Sequence, residues 1–328
     1  MHRPVTPLPP AGTGLLWRSP TREDAEALVR HTKRVDRAER LEYVDGPSFF
    51  RWLMTQHDFD PETAWLAGID TVGEVAVEAG AWTQVTDSGG RAFLWFGAVP
   101  GYEQHKPYLL SVAESFGRRG LASVPDGLDR VLRCPVEEHR TAHRAVIEAA
   151  GFEAVRSFVA MERSLSSLPE PGSIPDGIDI IPWSDEHNEQ ARQANNDAFA
   201  DHWGSLPMTA DAWGDMYARS DQFRPDLSYL AVADDRVIGF CVVEIDEENN
   251  QDRGIREIYI NKVGTIRDRR RRGIATHLLE RSLMSAAAIG MERAALNVDE
   301  SSYTKATEVY RRIGFEVTMR SIHYVKNL

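Results

Sequence analysis

Two halves of this sequence can be laid over one another, and that repetition limits the possible folds more than any other feature. Gly151-Phe152-Glu153 matches Gly314-Phe315-Glu316 at a spacing of 163 residues. Shortly after, Arg156-Ser157 matches Arg320-Ser321, each pair leading into an apolar, strand-like segment. Upstream, Phe96-Gly97-Ala98-Val99 lies over Val263-Gly264-Thr265-Ile266 at a spacing of 167. Three matches in one order at nearly one spacing point to a duplicated unit. A chain of 328 residues then holds two copies, each of ordinary domain size.

Proline and glycine punctuate the chain in the same places. Pro4, Pro7, Pro9, Pro10, Gly12 and Gly14 mark residues 1–13 as a flexible tail. Pro169, Pro171, Gly172, Pro175 and Gly177 place a linker at 166–177, because proline fixes φ and removes a donor. The expected domains are 14–165 and 178–328. In the second, residues 178–181 read as a strand, with a helix capped by Ser184 running to Phe199. Residues 228–232 and 237–243 form a hairpin joined at Asp234-Asp235. A strand at 255–266, a helix at 275–289, a strand at 294–298, a helix at 305–312 and a strand at 317–325 complete an α+β layered domain.

Composition excludes several classes. Lys and Arg number 38 against 50 Asp and Glu, a net charge of −12, which argues against nucleic acid. The acidity favours amine or cationic partners, although solubility alone also accounts for it. No apolar run approaches the roughly 18 residues a membrane helix needs, and none opens the chain as a signal peptide would, so no membrane partner and a cytoplasmic setting are expected. Cys134 and Cys241 are too few for a disulfide framework or a cysteine zinc site. The ten histidines offer no Glu-flanked helical pair, and His139 and His143 have no third ligand, so no metal is expected. No motif sets an oligomeric state.

The chemistry-bearing stretch is 263–275, a strand feeding a basic, glycine-containing turn that opens a helix. The free amides of a first helical turn and the positive end of its dipole receive a phosphate. Gly273 keeps a Cβ out of the way, and Arg269, Arg270, Arg271 and Arg272 supply guanidinium donors. Alone, four arginines read as a solvated cluster or a localisation signal; between a strand and an amphipathic helix they read as a diphosphate cradle. It is not a P-loop, since the Gly-Lys-Ser/Thr ending is absent, and it lacks the Gly-x-Gly-x-x-Gly dinucleotide fingerprint.

Arg270-x-x-Gly273-x-Ala275 resembles the Arg/Gln-x-x-Gly-x-Gly/Ala motif of the GNAT N-acyltransferase superfamily, the loop that binds the acetyl-CoA pyrophosphate. Ala306-x-x-x-Tyr310-x-x-x-Gly314-Phe315 resembles that superfamily's second signature, whose helix carries a Tyr near the CoA sulfur. The motifs stand in the right order, and the resemblance covers about 176–328. With Asn196, Ala198, Phe199, Asp201 and His202 after the first helix, the tandem layout is similar to actinobacterial two-domain acetyltransferases. The resemblance implies two tandem GNAT acyltransferase folds, each a mixed, mostly antiparallel sheet flanked by helices.

It also implies a chemistry and its residues. Acetyl-CoA is the co-substrate and a small-molecule primary amine the acceptor, which attacks the thioester directly. Val263, Gly264 and Thr265 would offer strand backbone to the acyl carbonyl and pantetheine. Arg270, Arg271, Arg272, Gly273, Ile274, Ala275 and Thr276 would hold the pyrophosphate. Tyr310 would protonate the departing thiolate, unless it only packs its ring; an ordinary phenol pKa of about 10 suits a donor. Glu257 is the expected base if strand alternation puts it on the face of Val263 and Thr265, a parity that a bulge would break. A solvated carboxylate is the other reading, and Asp299 and Glu300 are rivals. His202 and Trp203 either line the acceptor pocket or cap and pack. The asparagine that many members place near Ser302 and Tyr303 is missing.

In the first half the same overlay puts Glu103 opposite Arg270, Lys106 opposite Gly273, Tyr108 opposite Ala275 and Ile147 opposite Tyr310. A bulky side chain and a carboxylate in the cradle oppose phosphate binding, and the proton donor is gone. The first half reads as a degenerate repeat, or one with a redirected pocket using His105, Lys106 or His143. For the whole chain the alternatives are a non-catalytic CoA-binding regulatory module and a protein N-acetyltransferase.

Overall fold

In a computed structural model of the chain, residues 6–44, 46–56, 59–86, 89–168, 172–205, 207–302 and 305–328 are described. The first half runs β1 (Leu16–Arg18), α1 (Ala25–Glu39), α2 (Pro47–Leu53), α3 (Pro61–Ala64), β2 (Trp65–Ile69), β3 (Val75–Thr86), β4 (Gly89–Ala98), α4 (Lys106–Gly120), β5 (Asp129–Glu137), α5 (Thr141–Ala149) and β6 (Glu153–Ser164). The second runs β7 (Asp179–Pro182), α6 (Asn188–Ala198), α7 (Ala210–Trp213), β8 (Tyr229–Ala233), β9 (Arg236–Glu244), α8 (Glu247–Arg253), β10 (Glu257–Thr265), α9 (Ile274–Ala288), β11 (Arg293–Asp299), α10 (Ala306–Arg312) and β12 (Glu316–Asn327).

Packing divides these elements into Met1–Ser157 with Met319–Leu328, and Phe158–Thr318. The first unit's sheet has the order β1-β2-β3-β4-β5-β12, the second's β6-β11-β10-β9-β8-β7. One parallel pair sits in each, β4 with β5 and β10 with β11, among antiparallel neighbours. This is the α+β, tandem architecture expected from the repeat.

The division differs from the expected boundary at 166–177, because strand pairing assigns a strand to its sheet and a proline run does not. Residues 321–327 of β12 pair with β5, while 158–164 of β6 pair with β11. Each unit thus takes its closing strand from the far end of the other half's sequence. Of the expected tail, Thr6 and Pro7 accept hydrogen bonds from Arg119 and Tyr108 of α4, at 2.7 and 3.3 Å. The calls on residues 1–5, Pro169, Pro171 and Tyr303 lie outside the described residues.

Other local readings match closely. Asp234 and Asp235 have φ of 52° and 57°, the left-handed pair of a two-residue hairpin turn. Gly151 and Gly314 turn the chain at φ of 81° and 88° after α5 and α10, and Phe152 and Phe315 drop into their cores behind them. A 3₁₀ turn (Asp185–His187) precedes α6 where one helix was expected. The helix α8 was not expected, since its run of Glu and Asn has no apolar stripe.

Candidate active site

The second unit opens a cleft where two parallel strands part. β10 pairs with β11 over Glu257–Tyr259 and Arg293–Ala295 only; beyond these both strands continue unpaired to each other. β10 stays on β9 through Thr265, opposite Gly239, but its register slips between Ile260 and Lys262, leaving Asn261 as a bulge. The bulge turns the strand, and Asn261, Lys262, Val263, Gly264 and Thr265 are all half-buried along the opening. Their backbone groups on the cleft side have lost the partner strand and can bind a ligand instead.

At the open end lies the basic turn. Gly273 caps α9 in the left-handed region at φ 79°, and Arg271 adopts φ 62° just before it. The two residues swing the chain so that α9 starts with its amides facing the mouth of the cleft. Ile274, Ala275 and Thr276 form that first turn, Ile274 buried beneath it. The side chains of the arginines divide in use. Arg271 and Arg272 are exposed and suited to phosphate. Arg267 pairs with Asp201, and Arg269 with Asp234 at 3.1 Å. Arg270 donates to the carbonyls of Thr265, at 3.2 Å, and Ala198, at 2.9 Å, so its guanidinium braces the turn against β10 and α6. The expected phosphate contact of the Arg270 side chain is therefore replaced by a structural one.

Tyr310 comes from α10. Its ring is buried and meets Phe315 edge-on at 5.9 Å. Cys241, the cross-strand partner of Val263, and Tyr259 lie within electrostatic reach of its hydroxyl. Burial, with those two groups, raises its pKa well above the ordinary phenol value, so the hydroxyl stays protonated.

Glu257 is not where the alternation argument put it. Opposed residues of antiparallel strands share a face. Val263 and Thr265 stand opposite Cys241 and Gly239, whereas Glu257 shares parity with Tyr259, opposite Glu244. The bulge has turned Glu257 to the other face. It lies at the closed end, with Arg293 at 2.7 Å and Arg253 at 3.6 Å. Burial raises its pKa and the two arginines pull it back.

A different carboxylate, on that same face but beside the bulge, is Glu244. Glu244, at the end of β9, accepts from Asn261 Nδ2 at 2.8 Å, and Asn261 Oδ1 accepts from the buried Tyr217 hydroxyl at 3.1 Å. Burial pushes the Glu244 pKa up to about 7, against the pull of Asn261 and Lys262 and helped by Asp246. Lys262 lies 4.8 Å from the centre of the Phe199 ring, its pKa lowered by burial. Glu244 escaped the sequence reading because it borders the acidic run Asp246, Glu247, Glu248 and looks like loop. The readable signal was Asn261-Lys262, a polar pair breaking an apolar strand.

The remaining candidates are dispersed. Asp299 is buried and accepts from the Ser301 amide at 2.9 Å. His202 packs edge-on against Phe199, and the Trp203 ring lies 6.3 Å from Phe158. Among the described residues no group of His, Cys, Asp and Glu is arranged to hold a metal ion, and no helix is long and apolar enough to cross a membrane.

Residues 188–315, which include the splayed parallel strands and the glycine-capped helix, match the acetyltransferase (GNAT) family. That match lies within the second unit, and the chain is similar to mycothiol acetyltransferases. The mycothiol acetyltransferase of Mycolicibacterium vanbaalenii is 30% identical over 192 residues, 55% of this chain and 60% of that protein. The chain thus spans less than two thirds of that relative. A GCN5-related N-acetyltransferase from Sphaerobacter thermophilus covers 96% of both chains at 22% identity and a TM-score of 0.75. A tandem GNAT protein from the clavulanic acid biosynthesis pathway covers 95% of this chain and 98% of its own at 12% identity and a TM-score of 0.69. These two share the fold.

Proposed function

We propose that the second unit transfers an acetyl group from acetyl-CoA to a small-molecule primary amine by direct attack, with no acyl-enzyme. The observation that carries this reading is the cleft between β10 and β11, open toward the α9 amides and flanked by Tyr310 and Glu244. The amides of Gly273, Ile274, Ala275 and Thr276, with Arg271 and Arg272, hold the pyrophosphate; the backbone of Val263, Gly264 and Thr265 orders the pantetheine and the acyl carbonyl. Glu244, close to the bulge, takes the proton that the ammonium must lose before its nitrogen bonds to the acyl carbon. As the carbon–sulfur bond breaks, Tyr310 gives its proton to the leaving sulfur and is reprotonated by the proton that the acylated nitrogen loses in becoming the neutral amide, while Glu244 returns its proton to water. Glu257, neutralised by two arginines at the closed end, keeps a structural place instead of the expected basic one.

The first unit serves this reading as a degenerate copy. Lys106 heads α4 and is buried, its Nζ 2.5 Å from Glu39, whose other oxygen lies 2.6 Å from Arg140. An internal carboxylate and a lysine occupy the helix start where the second unit has an exposed glycine. Relatedness to mycothiol acetyltransferases supports a small amine acceptor. A thiol-release screen with acetyl-CoA and a panel of amines, amino sugars among them, tests the proposal. Amine-dependent release is expected; binding of acetyl-CoA without release for any amine would make this unit a sensor, and absence of binding would end the acyltransferase reading.

A further inference from the structure

One buried hydroxyl in the second unit reaches the candidate base through a single side chain. Tyr217 lies on a π-helical turn (Gly214–Ala218) that follows α7. The Arg219 amide donates to the Gly214 carbonyl at 2.8 Å, a five-residue spacing that widens the helix, and such turns recur at functional sites. Here the turn sets the Tyr217 ring against Trp213, 4.6 Å away, and Phe223, 6.4 Å away, with none of its surface exposed. A phenol buried that deeply must find its hydroxyl a partner. The partner is Asn261 Oδ1 at 3.1 Å, on the bulge of β10.

The direction of these bonds follows from the groups that make them. An ionised carboxylate only accepts, so the Asn261 amide turns its Nδ2 to Glu244, at 2.8 Å. The amide oxygen then faces Tyr217, whose hydroxyl donates to it. Remove that donor, and half a turn of the amide places its oxygen at Glu244, an arrangement that favours the protonated carboxyl. The other groups around Glu244 do not set the amide. Lys262 favours its charge and Asp246 opposes it, both through space. Tyr259 stands opposite it on β10, and Arg224, before β8, is taken up by Asp226 at 2.6 Å and drawn by Glu247 of α8.

We propose that Tyr217 is a positioning residue for acetyl transfer: through Asn261 it holds an amide N–H on Glu244 and so keeps that carboxylate ready to act as the base. This role rests on the reading of Glu244 as the base, and it gives the π turn the task of aiming the hydroxyl. Tyr217 acts only by fixing which end of Asn261 the carboxylate meets. Low polarity around the three groups strengthens each bond and couples them, so loss of the first is felt at the last.

The test follows Glu244 directly, by NMR titration of the whole chain isotope-labelled at its glutamate carboxyl carbons, with Glu244→Gln identifying the signal. Tyr217→Phe keeps the ring and drops the hydroxyl, and should move the Glu244 midpoint upward by about 1 pH unit. In the pH profile of kcat/KM, taken with an amine found by thiol release, the rising limb should move with it. The rate then falls roughly fivefold near pH 7 and recovers on the alkaline plateau, whereas damage to folding would lower it at every pH. Asn261→Ala should shift the midpoint at least as far, and adding Tyr217→Phe to it should shift it no further. A midpoint equal in the parent and Tyr217→Phe, or shifts that add in the double variant, would overturn the relay and leave the base assignment standing. A midpoint that moves while the limb stays in place would remove Glu244 from the transfer step, and Tyr217 with it.

Discussion

Tyr310 is packed against Phe315, and burial raises its pKa, so its hydroxyl holds a proton at neutral pH. Removing only that oxygen leaves the packing in place. Tyr310→Phe should lower kcat on the order of 100-fold with little change in acetyl-CoA KM and in Tm, the loss typical of one general acid. Steady-state kinetics beside a melting curve check this; unchanged kcat would return Tyr310 to a packing role. Glu244 works the other way. Its pKa is raised to about 7, and a base acts only when deprotonated, so kcat/KM should climb as pH rises through about 7 and then level off. Glu244→Gln should remove that rising limb and depress the plateau, whereas Glu257→Gln should keep the limb, since Arg293 and Arg253 already engage that carboxylate. A limb that survives in Glu244→Gln and vanishes in Glu257→Gln would reverse the assignment. Of the pair, only Tyr310 was legible in sequence, because its spacing to Gly314-Phe315 is a motif. Glu244 owes its role to a bulge one strand away, and no local pattern on β9 records that.

At the scale of elements, the turn after β10 was the most readable part of the site and also the place where a residue's role shifted. Strand, basic glycine turn and helix followed from local pattern alone, as did the hairpin at Asp234 and Asp235. Sequence could not show that Arg270 bonds the carbonyls of Thr265 and Ala198, because Ala198 is 72 positions away. Gly273 is the point at which backbone shape and binding meet. At φ 79° a Cβ is strained by about 1 kcal/mol even though the nearest atom it would touch, on His277, is 3.6 Å off. Gly273→Ala should therefore cost little in folding and more in binding, where the α9 amides must be presented. The expected result is a rise in acetyl-CoA Kd of roughly tenfold by calorimetry, with Tm lowered by only a few degrees. Equal affinity in parent and variant would mean the turn does not present those amides.

For the whole molecule, the repeat in the sequence correctly announced two copies of one fold, and the proline run misplaced where one ends. The overlay compares segments in chain order, and the sheet partner of a terminal strand is not written in that order. Residues after Thr318 contain none of the proposed catalytic or cofactor-binding positions, yet they belong to the first unit. Tyr324 is buried in that unit's core and donates to Glu148, while Lys326 reaches Glu114 at 2.8 Å and the Ala150 carbonyl at 3.0 Å. Strand 321–327 also covers the edge of β5, whose amides would otherwise face water or another chain. A chain ending at Thr318 should thus lose hydrogen-exchange protection across 131–137 and gain a tendency to associate, as an uncovered strand edge does. Mass-spectrometric exchange on peptides spanning β5 reads this directly. Protection of β5 equal to that of the full chain would show that the first unit closes its sheet without a strand from the end of the sequence, and that the duplicated halves are the folding units after all.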